Sequence, residues 1–118
     1  MRIDTTIMTV GLATLVLVVG GPLVAHAHTT PAQKCATAKS KAAAKKAAAK
    51  LKCYATATVH ATQVDTACLT AAETKFGAAI TKAEAAGGCA VTGDAGAIEA
   101  AVEAFVGAIN TLTLAMAP

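Results

Sequence analysis

Four cysteines, Cys35, Cys53, Cys68 and Cys89, constrain the fold of this chain more than any other feature. The first two are 18 residues apart. In a helix, that interval places them on one face about 27 Å apart, too far to bond to each other. In an antiparallel helix pair, Cys53–Cys68 spans the turn and Cys35–Cys89 joins the open end. This nested pairing is the one of the three possible connectivities that fits without distortion, so it predicts two structural disulfides.

Two alternatives to disulfides are less consistent with the cysteine spacing and number. Zinc ligands usually come in close pairs such as C-x-x-C, whereas intervals of 18, 15 and 21 residues spread these cysteines along the chain. Reactive single thiols are disfavoured because the number of cysteines is even in a chain that carries export signals.

The composition favours helices between the cysteines. The chain has 118 residues, 55% of them hydrophobic and only 3% aromatic. Alanine is the best helix former, and the β-branched and aromatic residues that favour strands are scarce in the region after residue 27. A single domain with an alanine core buries little apolar area, so covalent crosslinks are expected to stabilise it. We therefore expect an all-α fold, a disulfide-stapled antiparallel hairpin with a third packed helix.

The N-terminal segment has the pattern of a signal peptide over residues 1–27. Arg2 precedes an apolar run at residues 7–19, which is followed by Gly20-Gly21-Pro22 and the small-residue cleavage site Ala25-His26-Ala27. A retained membrane anchor is the alternative, but the run is shorter than the roughly 20 residues that a spanning helix needs. The sequence predicts a secreted or periplasmic protein without integral membrane association after cleavage, with a flexible leader at residues 28–33 and a helical domain at residues 34–118.

Three helical segments are predicted in that domain. The first runs from Lys34 to about Thr58, and the second is capped by Asp65 or Thr66 and stopped by Gly87-Gly88. Thr92 or Asp94 caps the third. Its apolar stripe is expected to pack on the hairpin of the first two, in an up-down-up three-helix bundle, while its polar side chains face away. The stripe comprises Ile98, Val102, Phe105, Ile109, Leu112 and Met116, and the polar residues are Glu99, Glu103 and Asn110.

Three stretches of the chain carry a resemblance to known proteins: KCATAKSKAAAKKAAAKLKC, DTACLTAAETKFGAAITKAEAAGGC and TGDAGAIEAAVEAFV. Together they resemble a group of small exported bacterial proteins, rich in alanine and lysine and with four spaced cysteines, whose function is unknown. The resemblance implies the same helical frame and no particular activity. Mitochondrial coiled-coil-helix proteins with twin cysteine pairs are similar in architecture only, because their cysteine intervals are shorter.

A run of lysines without acidic residues is the candidate binding feature. It consists of Lys34, Lys39, Lys41, Lys45, Lys46, Lys50 and Lys52. On a helix, Lys34, Lys41, Lys45 and Lys52 form one stripe, and the other three lysines form a second stripe about 140° away. The run indicates adhesion to polyanions, or alternatively a solvated helix that keeps the protein soluble. Arginine is absent after residue 27 and tryptophan from the whole chain, so specific nucleic-acid recognition is not indicated.

Catalytic, cofactor and metal sites are not indicated by the sequence. The carboxylates are predicted on outer faces without partners: Asp65, Glu73, Glu84, Asp94, Glu99 and Glu103. No nucleophile–base set is spaced to converge, and no cofactor is expected. Cleavage would expose His28, whose amine and imidazole could bind copper with His60 as a second ligand. We therefore expect a secreted, non-catalytic structural or interaction module with an unknown partner. The alternative is a cationic binder of nucleic acid, lipopolysaccharide or acidic polysaccharide, and copper binding is a remote alternative.

Overall fold

The structure, a computed structural model, describes residues 28–115 and forms three α-helices. They are α1 (Pro31–His60), α2 (Thr66–Ala85) and α3 (Ala95–Ala115), and the described residues contain no β-strand. The disulfides are Cys35–Cys89 and Cys53–Cys68, with Cα–Cα distances of 5.2 and 6.0 Å. These findings confirm the all-α fold and agree with the nested pairing. The predicted signal peptide at residues 1–27 and the C-terminal residues 116–118 lie outside the described range.

The start of α1 corrects the predicted flexible leader at residues 28–33. The backbone N–H of Gln33 donates to the Thr30 hydroxyl (3.2 Å), and the N–H of Thr30 donates to Oε1 of Gln33 (2.8 Å). This reciprocal capping box satisfies two N–H groups that the first helical turn leaves without partners. Pro31 occupies the first helical position, where its missing N–H has no cost. The helix therefore begins three residues before the predicted start at Lys34.

The turn between α1 and α2 is short, and defined caps bound it. Ala61 ends α1 in the left-handed region with a φ of 51°. The carboxylate of Asp65 accepts the N–H of Ala67 at 2.8 Å and caps α2, as one of the two predicted alternatives. The chain reverses within a few residues, which brings Cys53 and Cys68 together.

The end of α2 depends on two glycines with positive φ, Gly87 (83°) and Gly88 (76°). This conformation is accessible to glycine at little cost, and the predicted stop at these residues is confirmed. A Cβ on Gly88 would lie only 2.3 Å from the Cβ of Pro31. The turn therefore packs directly on the start of α1, at the end of the molecule that holds the Cys35–Cys89 disulfide.

The hairpin of α1 and α2 contains the apolar core. Ala42, Phe76 and Ile80 form one buried cluster, and Ile98 of α3 packs against it. Four residues of the predicted apolar face of α2 are buried as expected: Ala72, Phe76, Ile80 and Ala83. The core has few large side chains, as the composition indicates, and the disulfides close the hairpin at its two ends.

The third helix packs mainly along α1, and only part of its predicted apolar stripe is buried. Val102 and Val106 are buried, whereas Phe105 is 53% and Leu112 61% exposed. The predicted inward orientation of the last two residues is wrong, since α3 turns its glutamates toward α1 instead. By length and composition alone, α3 could cross a membrane, with a mean hydropathy of 1.4 over an 18-residue window that is 11% buried. That test is weak, because core helices and signal sequences also pass it.

Candidate functional site

Three lysines of α1 are buried between the helices. Lys39, Lys46 and Lys50 have 6%, 2% and 6% of their surface exposed. Their spacing of seven and four residues places them on one side of α1, the second lysine stripe of the sequence. Lysine is rarely buried without a partner, because removing an ammonium group from water is costly.

The ammonium group of Lys46 lies at the centre of the interface. Its side chain has no exposed surface, and its Nζ contacts carboxylate oxygens of Glu73, Glu99 (2.7 Å) and Glu103 (3.3 Å). The same Nζ lies 4.7 Å from the ring centroid of Phe76, close enough for a cation–π interaction. One buried charge of α1 therefore joins α2 and α3.

Lys50 extends the network by one turn. Its Nζ donates to Glu73 at 2.8 Å and to Glu103 at 2.5 Å. Glu73 from α2 and Glu103 from α3 thus each contact both lysines, so this part of the interface is a continuous chain of alternating charges.

Lys39 forms a separate ion-pair group at the other end of the interface. Its Nζ donates to Glu84 (2.8 Å), to the carbonyl oxygen of Val91 (2.8 Å) and to Asp94, which immediately precedes α3. The N–H of Gly93 also donates to Glu84 at 3.0 Å. The connection between α2 and α3 is therefore fixed by the Lys39 ammonium group and the Glu84 carboxylate.

The pKa shifts follow this pairing. Burial by itself would raise the pKa of Glu73, but hydrogen bonds with Glu99, Lys46 and Lys50 outweigh it and lower that pKa from 4.5 to about 2. Burial opposes the charged forms of Lys46 and Lys50, yet hydrogen bonds to the glutamates raise the pKa of each lysine above its usual 10.5. The charged forms are therefore the stable ones in the folded protein.

Two sequence predictions are corrected by this network. Glu73, Glu84, Asp94, Glu99 and Glu103 are not unpartnered groups on outer faces, because each pairs with a buried lysine. Lys39, Lys46 and Lys50 are consequently not available for anion binding. The sequence contains one signal of this arrangement: Lys46 and Lys50 are four residues apart, as are Glu99 and Glu103, so the two pairs match on helices that run in the same direction.

The candidate metal ligands do not form a plausible centre in the described residues. Carboxylate oxygens of Glu73, Glu99 and Glu103 lie within 4.8 Å of one another, but the ammonium groups of Lys46 and Lys50 already neutralise them. His28 precedes α1 and His60 ends it. A 30-residue helix is about 45 Å long, so these histidines cannot share a copper ion.

The remaining lysines form a separate exposed surface, here called the lysine face. It consists of Lys34, Lys41, Lys45 and Lys52 on α1 with Lys75 and Lys82 on α2, all exposed and without an ion pair to any carboxylate among residues 28–115. The α1 members lie within an arc of about 40°.

The α2 members of the lysine face lie opposite α3. Lys75 is two residues from Glu73 and Lys82 two residues from Glu84, which is about 200° around the helix, and both glutamates point toward the α3 side. The lysine face and α3 are therefore on opposite sides of the hairpin.

A cleft of about 360 Å³ opens on the lysine face near the Cys53–Cys68 disulfide. Its lining includes Lys52 from α1 and Lys75 from α2, which confirms that the two helices contribute lysines to the same side. The cleft exists because this end of the hairpin interface contains alanines and a disulfide instead of side chains as large as Phe76.

The chain matches no known family model, no curated protein and no solved structure. The resemblance to small exported four-cysteine proteins therefore stays a prediction.

Proposed function

We propose that this protein is an exported, non-catalytic interaction module that binds anionic polymers or anionic surfaces through its lysine face. The observation that carries the proposal is the separation of charge. Outside residues 1–27 the chain has nine lysines and six carboxylates. Three lysines and five carboxylates are paired in the interior, so six lysines and Asp65 make up the remaining side-chain charge.

Export is supported by two independent features. The first 27 residues have the pattern of a cleavable signal sequence, and two disulfides are typical of an oxidising extracytoplasmic compartment. The second feature also explains how a small alanine-rich core is stabilised where chaperones are scarce. Secreted and periplasmic locations are equally consistent with both.

The chemistry of the lysine face favours non-specific binding. The α1 lysines extend over 18 residues, or about 27 Å, so several phosphates, sulfates or carboxylates of one polymer could be contacted together. Lysine ammonium groups attract such groups as point charges, without the bidentate geometry of arginine. The one tyrosine, Tyr54, is half-buried in α1, so the lysine face offers no aromatic platform for bases.

The proposal is tested by measuring the affinity of the disulfide-bonded protein for single-stranded oligothymidylate at several salt concentrations, with heparin chromatography in parallel. Engagement of all six lysines predicts a slope of log K against log salt of about −4. The double substitution Lys41→Gln/Lys45→Gln is expected to reduce the magnitude of the slope by about 1.4 and the affinity by about tenfold or more.

A matched control separates the lysine face from net charge. Ala97→Glu/Ala108→Glu also lowers the net charge by two, but at exposed positions of α3, on the opposite side. We expect this variant to bind almost as the parent protein does. Release from heparin below physiological salt, or equal losses in the two double variants, would contradict the proposal.

A further inference from the structure

We infer that the cleft beside the Cys53–Cys68 disulfide is a binding site for a single anionic amphiphile, a molecule with a phosphate or carboxylate head and an apolar chain. The inference rests on the proposed function in one respect, since Lys52 and Lys75 belong to the lysine face. It goes further because it assigns a bounded site and a ligand that a charged polymer does not resemble.

The floor of the cleft is apolar and rigid. It contains Ala57 and Ala72, which are 9% and 4% exposed, and the disulfide, whose Cys53 is 4% exposed. The crosslink fixes the distance between α1 and α2 at this end, so the cleft cannot close by a small shift of the helices. A purely ionic ligand would leave this apolar surface in water, whereas an alkyl chain would cover it.

The charged groups of the cleft lie at its rims. Lys52 projects from α1 and Lys75 from α2, both exposed, so an anionic head could contact an ammonium group from each helix. Asp65 also lines the cleft, but its carboxylate accepts the N–H of Ala67 as the cap of α2. The local charge therefore remains positive.

The size of the cleft agrees with a ligand of limited length. Its volume of about 360 Å³ is near the lower end of the range for small-molecule sites, about 300 to 1,000 Å³. Such sites combine mostly apolar walls with a few polar groups that orient the ligand, which is the composition found here.

The site is tested with three probes on the disulfide-bonded protein: decyl phosphate below its micelle concentration, decanol and inorganic phosphate. Isothermal titration calorimetry is expected to show saturable one-to-one binding of decyl phosphate. Decanol lacks the head and inorganic phosphate lacks the chain, so each should bind at least about tenfold more weakly. Equal binding of decanol or of inorganic phosphate would overturn the inference.

Two variants locate the binding. Lys52→Gln/Lys75→Gln is expected to weaken decyl phosphate binding at least about tenfold, since both charged contacts are lost. The control Lys34→Gln/Lys82→Gln removes the same charge from the other end of the lysine face and should change the affinity less than about twofold, beyond the reach of direct contacts. Equal losses in both variants would show a diffuse electrostatic effect and refute a defined site.

A third variant distinguishes this inference from the proposed function. Thr56 is an exposed residue in the cleft lining, so Thr56→Phe fills the cleft without changing charge or core. It should abolish decyl phosphate binding and leave heparin elution unchanged. If the parent protein binds heparin but not decyl phosphate, only the amphiphile site is wrong. If it binds decyl phosphate but not heparin, only the polymer-binding function is wrong.

Discussion

Replacement of Lys46 by methionine should destabilise the protein substantially, because it removes the ammonium group and keeps a side chain of similar length. Three glutamates would lose a shared positive neighbour, and Phe76 would lose its cation–π partner. The apolar part of the side chain would be almost unchanged, so the effect would report on charge rather than on a cavity.

The expected magnitude follows from the exposure of the partners. Removing one member of a fully buried ion pair costs about 3 to 5 kcal/mol. Glu73, Glu99 and Glu103 have 34%, 44% and 42% of their side chains exposed, so water compensates part of this loss. We therefore expect about 2 to 3 kcal/mol from the ion pairs, with a further contribution of about 0.5 to 1 kcal/mol from the cation–π contact.

Urea unfolding followed by far-ultraviolet circular dichroism, with both disulfides intact, measures this loss. Urea is preferred because guanidinium is a salt and screens ion pairs. The control is Lys45→Met, at the neighbouring exposed lysine, which should change the free energy of unfolding by less than about 0.5 kcal/mol.

A double-mutant cycle with Glu99→Gln then isolates the pairing, because Lys46 is its ion-pair partner among the described residues. The substitution should cost about 1 kcal/mol alone and almost nothing in the Lys46→Met protein. Equal stabilities of the Lys46→Met and Lys45→Met proteins, or an additive cycle, would refute the ion-pair core.

Three further predictions concern pH, the disulfides and the glycine turn. The pKa of Glu73 is lowered from 4.5 to about 2, so its stabilising contribution is present above pH 4.5 and lost as pH falls toward 2; the urea midpoint should fall across that range, and a flat profile would count against the pairing. Replacing both cysteines of the disulfide in the turn between α1 and α2 by alanine should cost about 3 kcal/mol and doing so at the open end about 4 kcal/mol, because the closed loops span 15 and 54 residues; equal thermal shifts would contradict this order. Gly88→Ala should destabilise by about 2 kcal/mol through its positive φ and the clash with Pro31, whereas Gly107→Ala, in open space within α3, should stabilise by about 0.5 to 1 kcal/mol; a neutral Gly88→Ala protein would show that the turn can rearrange.

The framework of the fold could be predicted from the sequence because it depends on local and geometric rules. The cysteine intervals determine which pairs can meet once two antiparallel helices are assumed. Gly87 and Gly88 end α2, and Asp65 caps it, through interactions within a few residues. The start of α1 was misplaced, although Thr30 and Gln33 have the spacing of a capping box.

The ion-pair network could not be predicted in the same way, since it depends on how α1 and α3 are aligned. Hydropathy ranks lysine and glutamate as surface residues, so Lys46 and Glu99 were assigned to opposite exteriors. A pair of charges is buried only when both partners meet, and that information lies in two helices separated by 53 residues. The same misassignment placed Phe105 inward, because the side of α3 that carries Glu99 and Glu103 was taken to be the outer one.

The buried lysines also determine how far α3 can slide along α1. Alanine methyl groups are alike at every turn, so an interface made only of alanines would tolerate a displacement of one turn at little cost. Lys39, Lys46 and Lys50 meet Asp94, Glu99 and Glu103 at defined heights, and a displacement would leave ammonium groups facing methyl groups. In a chain with few bulky side chains, the alignment of the helices along their axes is therefore encoded by charge.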